Sequence, residues 1–264
     1  MLFRFLRKSQ NPISGAVKIA TLTILAIILF AGSFILSLTL TAGVRKLASR
    51  AGFVAHPSAD RYHQAVIPLG GGIAIFTTLI AFIFAATAAI KVLPGYLGSL
   101  AQTANIDPTD FSGKIGQLII ILLSIIILFV LGLWDDKKHL SPSVKLVVQF
   151  AVALTAAAFA ETRVELFIGS RIITTTLSAV WIVLIINAFN FLDNMDGLAA
   201  GIAAIAGCIL FTAAVLSGQV FIGGLALVFV GTLVGFLVLN FPPAKIFMGD
   251  AGSLVVGFIV ALLT

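Results

Sequence analysis

The chain has 264 residues, 60% of them hydrophobic and only 10% charged, with a mean hydropathy of +1.19. That excludes a water-soluble globular domain, whose surface needs roughly a quarter of its residues charged. The net charge of +6 suits an anionic membrane surface or phosphate ligands, and nucleic acid is not an expected partner.

In chain order, residues 1–18 carry Arg4, Arg7, Lys8 and Lys18 and read as a basic lead-in. The first apolar run is too long for the core of a cleavable signal peptide, so none is expected. A bilayer takes about 20 apolar residues to cross. Spans are predicted at 19–42, 70–90, 115–134, 144–160, 172–190, 198–217 and 219–239. The runs are continuously apolar and do not alternate, which predicts helices and not a barrel. Cys208 is the single cysteine and lies inside a predicted helix, so disulfides play no part. A last run, from Ser253 to Thr264, has 12 residues and is too short to span. No linker or internal repeat divides the chain. The expectation is an all-α fold: a polytopic transmembrane helical bundle forming one integral-membrane domain over 1–264, with seven complete spans plus a truncated eighth.

Counting crossings puts residues 43–69, 135–143, 191–197 and 240–252 on one side of the membrane. Six of the ten acidic residues fall there: Asp60, Asp135, Asp136, Asp193, Asp196 and Asp250. Lys and Arg are equally divided between the two sides. Leaving out the N-terminal tail, the acidic side has more of them, which would make it cytoplasmic.

Each polar motif on that side has two readings. In "NAFNFLDNMDG", Asn187, Asn190, Asp193 and Asp196 are spaced by three. Either they cap two helices, or they form the wall of a site. Asn187 and Asn190 fall within the membrane, where polar groups face a partner or a cavity. Helical geometry makes such a row drift around the axis, so the four converge only if the helix loosens near Gly197. Asp135 and Asp136 in "WDDKKHL" repel each other unless a cation is near. Lys137 and Lys138 in a solvated loop are one source, a bound ion another. Lys145 either snorkels to the interface or contacts a phosphate. Asp250 in "FMGDAGS" is either a helix N-cap or a metal ligand. Arg61 and His63 precede Gly70, Gly71 and Gly72, which begin a helix. Those glycines either hold an anion or allow close helix packing. Oxygen ligands beside Lys and Arg suit Mg²⁺ with phosphates, and thus phosphoryl transfer at the bilayer surface.

The segments "LGLWDDKKHLSPSVKLVVQ", "NAFNFLDNMDGLAAG" and "NFPPAKIFMGDAGSLVVGF" closely resemble those of the polyprenyl-phosphate N-acetylhexosamine-1-phosphate transferases, the undecaprenyl-phosphate GlcNAc-1-phosphate branch of glycosyltransferase family 4. The resemblance implies an active site on the cytoplasmic face of the inner (plasma) membrane. It implies a UDP-amino sugar and undecaprenyl phosphate as substrates, UMP as a product and Mg²⁺ as cofactor, with Mn²⁺ as the alternative. Asp250 with Asn190 would hold the metal. Asp135 and Asp136 would sit beside it and the lipid phosphate, and Lys145 would neutralise phosphate charge. Asn187, Asp193 and Asp196 would shape the nucleotide pocket, with Arg61 and His63 as further substrate contacts. The expected partners are the two substrates, the lipid bilayer and a second copy of the chain in a homodimer. Members of this family continue through further helices and a His- and Arg-containing loop, so the chain is expected to be C-terminally incomplete relative to them.

Other readings explain less. An ion-coupled transporter keeps its ionisable groups near the bilayer midplane, whereas these lie at predicted helix ends. A CDP-alcohol phosphotransferase needs further Asp soon after its Asp-x-x-Asp-Gly motif, and none occurs between Asp196 and Asp250. An inactive, truncated paralogue acting as a scaffold is the remaining alternative.

Overall fold

In lipid a backbone must satisfy its own N–H and C=O groups, so apolar segments of this length fold as helices. The computed structural model describes residues 12–55, 66–92, 115–160 and 169–264. Among these it contains α1 (Pro12–Ala51), α2 (Gly71–Val92), α3 (Ile115–Lys137), α4 (Pro142–Phe159), α5 (Arg171–Leu192), α6 (Leu198–Leu216), α7 (Val220–Asn240) and α8 (Asp250–Leu263). The first seven are long and apolar enough to cross a membrane, and α8 has 14 residues. The protein is a multi-pass helical bundle. Its only strands among the described residues are β1 (Val54–Ala55) and β2 (Ile67–Pro68), an antiparallel pair matching Val54 with Pro68 and Ala55 with Ile67.

Two boundaries differ from expectation. Helix α1 does not stop near residue 42 but runs to Ala51 and turns at Gly52, where φ is +68°. No proline interrupts 43–51, and Gly43 alone does not break the helix, so Arg45, Lys46 and Arg50 become helical. Helix α3 reaches Lys137, which places Asp135 and Asp136 on its last turn and not in a loop.

Helix association in lipid relies on close packing by small residues. Ser33, Ser37 and Thr41 recur every fourth residue on α1 and are fully buried. They face α7, where a side chain on Gly231 or Gly235 would strike the backbone of Phe30 or Phe34. The Ser37 hydroxyl donates to the Thr232 carbonyl across this contact at 2.6 Å.

The short α8 is the centre of the bundle. Every residue from Ala251 to Phe258 is buried, and the helix packs against α2, α3, α5 and α6. Its start is the point to which the polar ends of α3, α4 and α5 are drawn.

Candidate functional site

Three glycines begin the approach to the site, and their structure favours the packing reading over the anion reading. The N–H groups of Gly71 and Gly72 donate to the carbonyls of Phe247 (2.9 Å) and Met248 (2.8 Å), and that of Ile73 to Gly70 (2.9 Å). A side chain at Gly72 would overlap the backbone of Gly252 on α8. The start of α2 therefore fixes the segment 241–249. Arg61 and His63 lie outside the described residues.

That segment is tied down on several sides. Ala244 donates its N–H to Asp196 Oδ2 at 2.9 Å, Phe247 donates to the Pro68 carbonyl at 2.9 Å, and Gly249 donates to Asp193 Oδ2 at 3.1 Å. Asn240 Nδ2 donates to the Ile246 carbonyl at 2.9 Å, while its Oδ1 accepts from the Gly197 N–H at 3.1 Å. The two Asp of "DNMDG" thus hold the backbone that leads into Asp250.

At the centre, the Lys145 ammonium donates to Asp135 Oδ2 at 2.7 Å and to Asp250 Oδ2 at 3.1 Å. Asp135 Oδ1 accepts from the Leu140 N–H at 2.6 Å, so the turn between α3 and α4 orients it. Asp250 Oδ1 accepts from Asn190 Nδ2 at 2.9 Å, and the same amide donates to Ser253 Oγ at 3.0 Å. The Asp135 side chain is 8% exposed and that of Asp250 is 27% exposed, which makes Asp250 the carboxylate open to an incoming ligand. Lys145 bridges α3, α4 and α8, a stronger role than snorkelling alone.

The row beginning at Asn187 fans out. Asn187 Nδ2 donates to Gln149 Oε1 on α4 (2.6 Å) and to the Val183 carbonyl (2.8 Å). Asn190 faces α8, Asp193 meets Gly249 and Asp196 meets Ala244. Helix α5 ends at Leu192, and Gly197 at φ +70° completes the turn. This loosening brings Asp193 next to the start of α8, but it sends Asp196 towards the Pro-Pro segment and not back to Asn187. Asp250 is not the N-cap of α8, because Gly249 holds that position without a side chain. Asp136 supplies the missing acceptors, taking the N–H of Asp250 (2.8 Å) and of Ala251 (3.2 Å).

Sequence reasoning missed Gln149, Asn240 and Ser253. All three are buried polar residues: Asn240 ends α7, Ser253 lies in the first turn of α8 and Gln149 lies in the middle of α4. A glutamine inside an apolar span was the available sign for Gln149, since such a group requires a partner.

Asp135 and Asp250 share one ammonium, that of Lys145, and Asp136 stands beside them with both oxygens on the backbone at the start of α8. Their oxygens are hard ligands suited to a divalent cation, and the ammonium on Asp135 and Asp250 occupies a cation's position between them. Among the described residues no three His, Cys, Asp or Glu side chains are grouped to hold an ion unaided. The residues therefore fit an ion whose shell is completed by phosphate oxygens and water, the usual Mg²⁺ arrangement. Asn190 contributes as a donor here; ligation would use its Oδ1 instead.

Lys145→Met strands a nearly buried carboxylate. Breaking a fully buried pair costs 3–5 kcal/mol, and the partial exposure of Lys145 reduces this to about 2 kcal/mol. The thermal midpoint in detergent is expected to fall by roughly 5 °C. Adding Asp135→Asn should recover part of the loss, and no recovery would argue against this pairing.

These features define a multi-pass membrane protein with an acidic and lysine-containing centre at one end of its bundle. Residues 118–264 match the sequence model of glycosyl transferase family 4, and the chain belongs to that family. It is 33% identical over 249 residues to the probable undecaprenyl-phosphate N-acetylglucosaminyl 1-phosphate transferase of Bacillus subtilis, covering 90% of this chain and 62% of that protein. It is 31% identical over 242 residues to the decaprenyl-phosphate N-acetylglucosaminephosphotransferase of Mycobacterium tuberculosis, covering 84% and 55%. With the undecaprenyl-phosphate alpha-N-acetylglucosaminyl 1-phosphate transferase of Thermotoga maritima it shares 30% identity over 223 residues, covering 84% and 60%. The chain thus spans little more than half the length of these curated relatives.

Proposed function

We propose that the protein transfers N-acetylhexosamine 1-phosphate, most simply GlcNAc-1-phosphate, from a UDP-sugar to undecaprenyl phosphate at the cytoplasmic face of the plasma membrane. The observation that carries this reading is the Lys145 ammonium shared by Asp135 and Asp250 at a bundle end. It combines a cation for phosphate with oxygen ligands for a metal, at a depth where a lipid phosphate and a soluble nucleotide can meet. The names of the relatives point to the same reaction class.

In the reaction, an oxygen of the lipid phosphate attacks the β-phosphorus of the UDP-sugar. A new P–O bond forms, the bond linking the β-phosphorus to the UMP oxygen breaks, and UMP leaves with its electron pair. A phosphate monoester has its second pKa near ~6, so at neutral pH it arrives mostly as the dianion and needs no base. Asp250, with Asn190 Oδ1, would hold Mg²⁺, which would supply charge neutralisation at the diphosphate. Lys145 would pass from its carboxylates to phosphate oxygens as these enter. Asp135, anchored by Leu140, would keep the ammonium aimed at the site. Asn187, Asp193 and Asp196, tied to Gln149, Gly249 and Ala244, would shape the walls of the nucleotide side without touching the nucleotide, and a second copy of the chain in a homodimer is the proposed assembly.

The test uses membranes containing the full chain, labelled UDP-GlcNAc and undecaprenyl phosphate. Lipid-linked label and equimolar UMP should appear with Mg²⁺ or Mn²⁺ and fall to background with EDTA. Label transfer that ignores EDTA would remove the metal from the reading, and no transfer at all would remove the reaction.

A further inference from the structure

The adjacent Asp135 and Asp136 point to different tasks. Asp135 meets a side-chain cation, whereas Asp136 directs both oxygens at the backbone where α8 begins. The first N–H groups of any helix have no partner within it. Here Gly249 donates to Asp193, Asp250 to Asp136 Oδ1 and Ala251 to Asp136 Oδ2. The next two, Gly252 and Ser253, return to the Gly249 carbonyl, both at 3.0 Å. Two carboxylates from α3 and from the turn after α5 thus answer the positive end of the helix.

Gly249 is shaped for this approach. Its φ is +76°, and a β-carbon there would lie 2.7 Å from Asp136 Oδ2. The cap therefore comes from outside because no capping side chain fits at its own position. A phosphate at this helix start would displace the two carboxylates or sit against them.

We infer that Asp136, assisted by Asp193, is a positioning residue that caps α8 and thereby aims Asp250, while Asp135 is the member of the pair that holds the Lys145 ammonium. The kinetic half of this statement rests on the proposed transferase reading; the structural half does not.

The test compares the full wild-type chain with Asp136→Asn in detergent, by hydrogen exchange and by steady-state kinetics. Losing one of two charged acceptor contacts should speed exchange in 247–254 by about tenfold, with α6 and α7 unchanged. The kcat should fall by about ten- to a hundredfold, since Asp250 is misplaced in every complex. The KM for both substrates should stay within about twofold and the shape of the pH–rate profile should not move, while the Mg²⁺ midpoint should rise, since Asp250 would hold the ion. Asp193→Asn, which weakens only one of the three contacts, should give a smaller change of about threefold in the same exchange segment.

Unchanged exchange at 247–254 in Asp136→Asn would overturn the cap. A rise in KM for the polyprenyl phosphate matching the fall in kcat would show that Asp136 touches that substrate, and would overturn the assignment. If Asp136→Asn does not fold, unchanged exchange in Asp193→Asn overturns it instead. A wild-type chain that transfers no sugar phosphate defeats the transferase reading alone, because exchange still decides the cap.

Discussion

Asp250→Ala is expected to reduce sugar-1-phosphate transfer by about 10³-fold or more while leaving the bundle folded. Several kcal/mol of charge stabilisation at a diphosphate corresponds to this loss, at about 1.4 kcal/mol per decade. Asp250 is the meeting point of Lys145, Asn190 and the Asp136 cap, and it is the more exposed of the two carboxylates on the ammonium. Its removal leaves Asp135 paired with Lys145, so no buried charge is stranded and the thermal midpoint should change little. Asp250→Asn separates charge from shape. It retains the acceptor for Asn190 but not the negative charge, and a loss as large as that of alanine would identify the charge as the working feature. The measurement is the transfer rate in detergent across a Mg²⁺ titration. A rate within tenfold of wild type at saturating Mg²⁺ would remove Asp250 from the reaction.

This residue also shows how much of the molecule is legible in its sequence. Seven spans follow from hydropathy because lipid imposes one constraint on every apolar segment, whatever its neighbours. The gathering of Asp135, Asp193, Asp196 and Asp250 at one membrane end follows from counting those spans. What hydropathy cannot express is which atom meets which. Asp136 and Asp250 are separated by more than a hundred residues, and their contact arises from the packing of α3 against α8. The N-cap preference of Asp made Asp250 a plausible cap, yet the cap is Asp136, because Gly249 occupies the position where a capping side chain would normally stand.

The triplet row after Asn187 gives a second case. Its drift around the helix axis is geometry that a sequence contains, and the fan of partners from α4 through α8 to the Pro-Pro segment follows that drift. Its partners are not local. Gln149 takes Asn187 before any substrate does, so the Asn187 amide ties α5 to α4 within the apolar layer, where an unsatisfied polar group is costly. Asn240 plays the matching part at the end of α7, joining the turn at Gly197 to the carbonyl of Ile246. Both residues hold the walls of the site, and neither belongs to a motif that a chemical reading selects.

The same logic makes Gly72→Val a strongly damaging substitution outside the acidic centre. A β-carbon at this position would lie 2.7 Å from the Ala251 carbonyl carbon and would overlap the Gly252 backbone. Neither obstacle is a flexible side chain, so α2 and α8 must separate. Overpacking of this kind costs about 1–3 kcal/mol or more. Separation also breaks the bonds from Gly71 and Gly72 to the carbonyls of Phe247 and Met248, each worth about 1 kcal/mol. Gly72→Val should therefore destabilise the protein by about 4 kcal/mol, a large part of the marginal stability of a folded chain. Gly43→Ala is the contrasting case: it also lies within a helix, but nothing is within 4 Å of its β-carbon position. That change should be neutral or stabilising by up to about 1 kcal/mol. Thermal midpoints and the yield of monodisperse protein in detergent measure both. If Gly72→Val accumulated and melted like wild type, α2 would not be held against α8 at Gly252, and the segment leading into Asp250 would need another anchor.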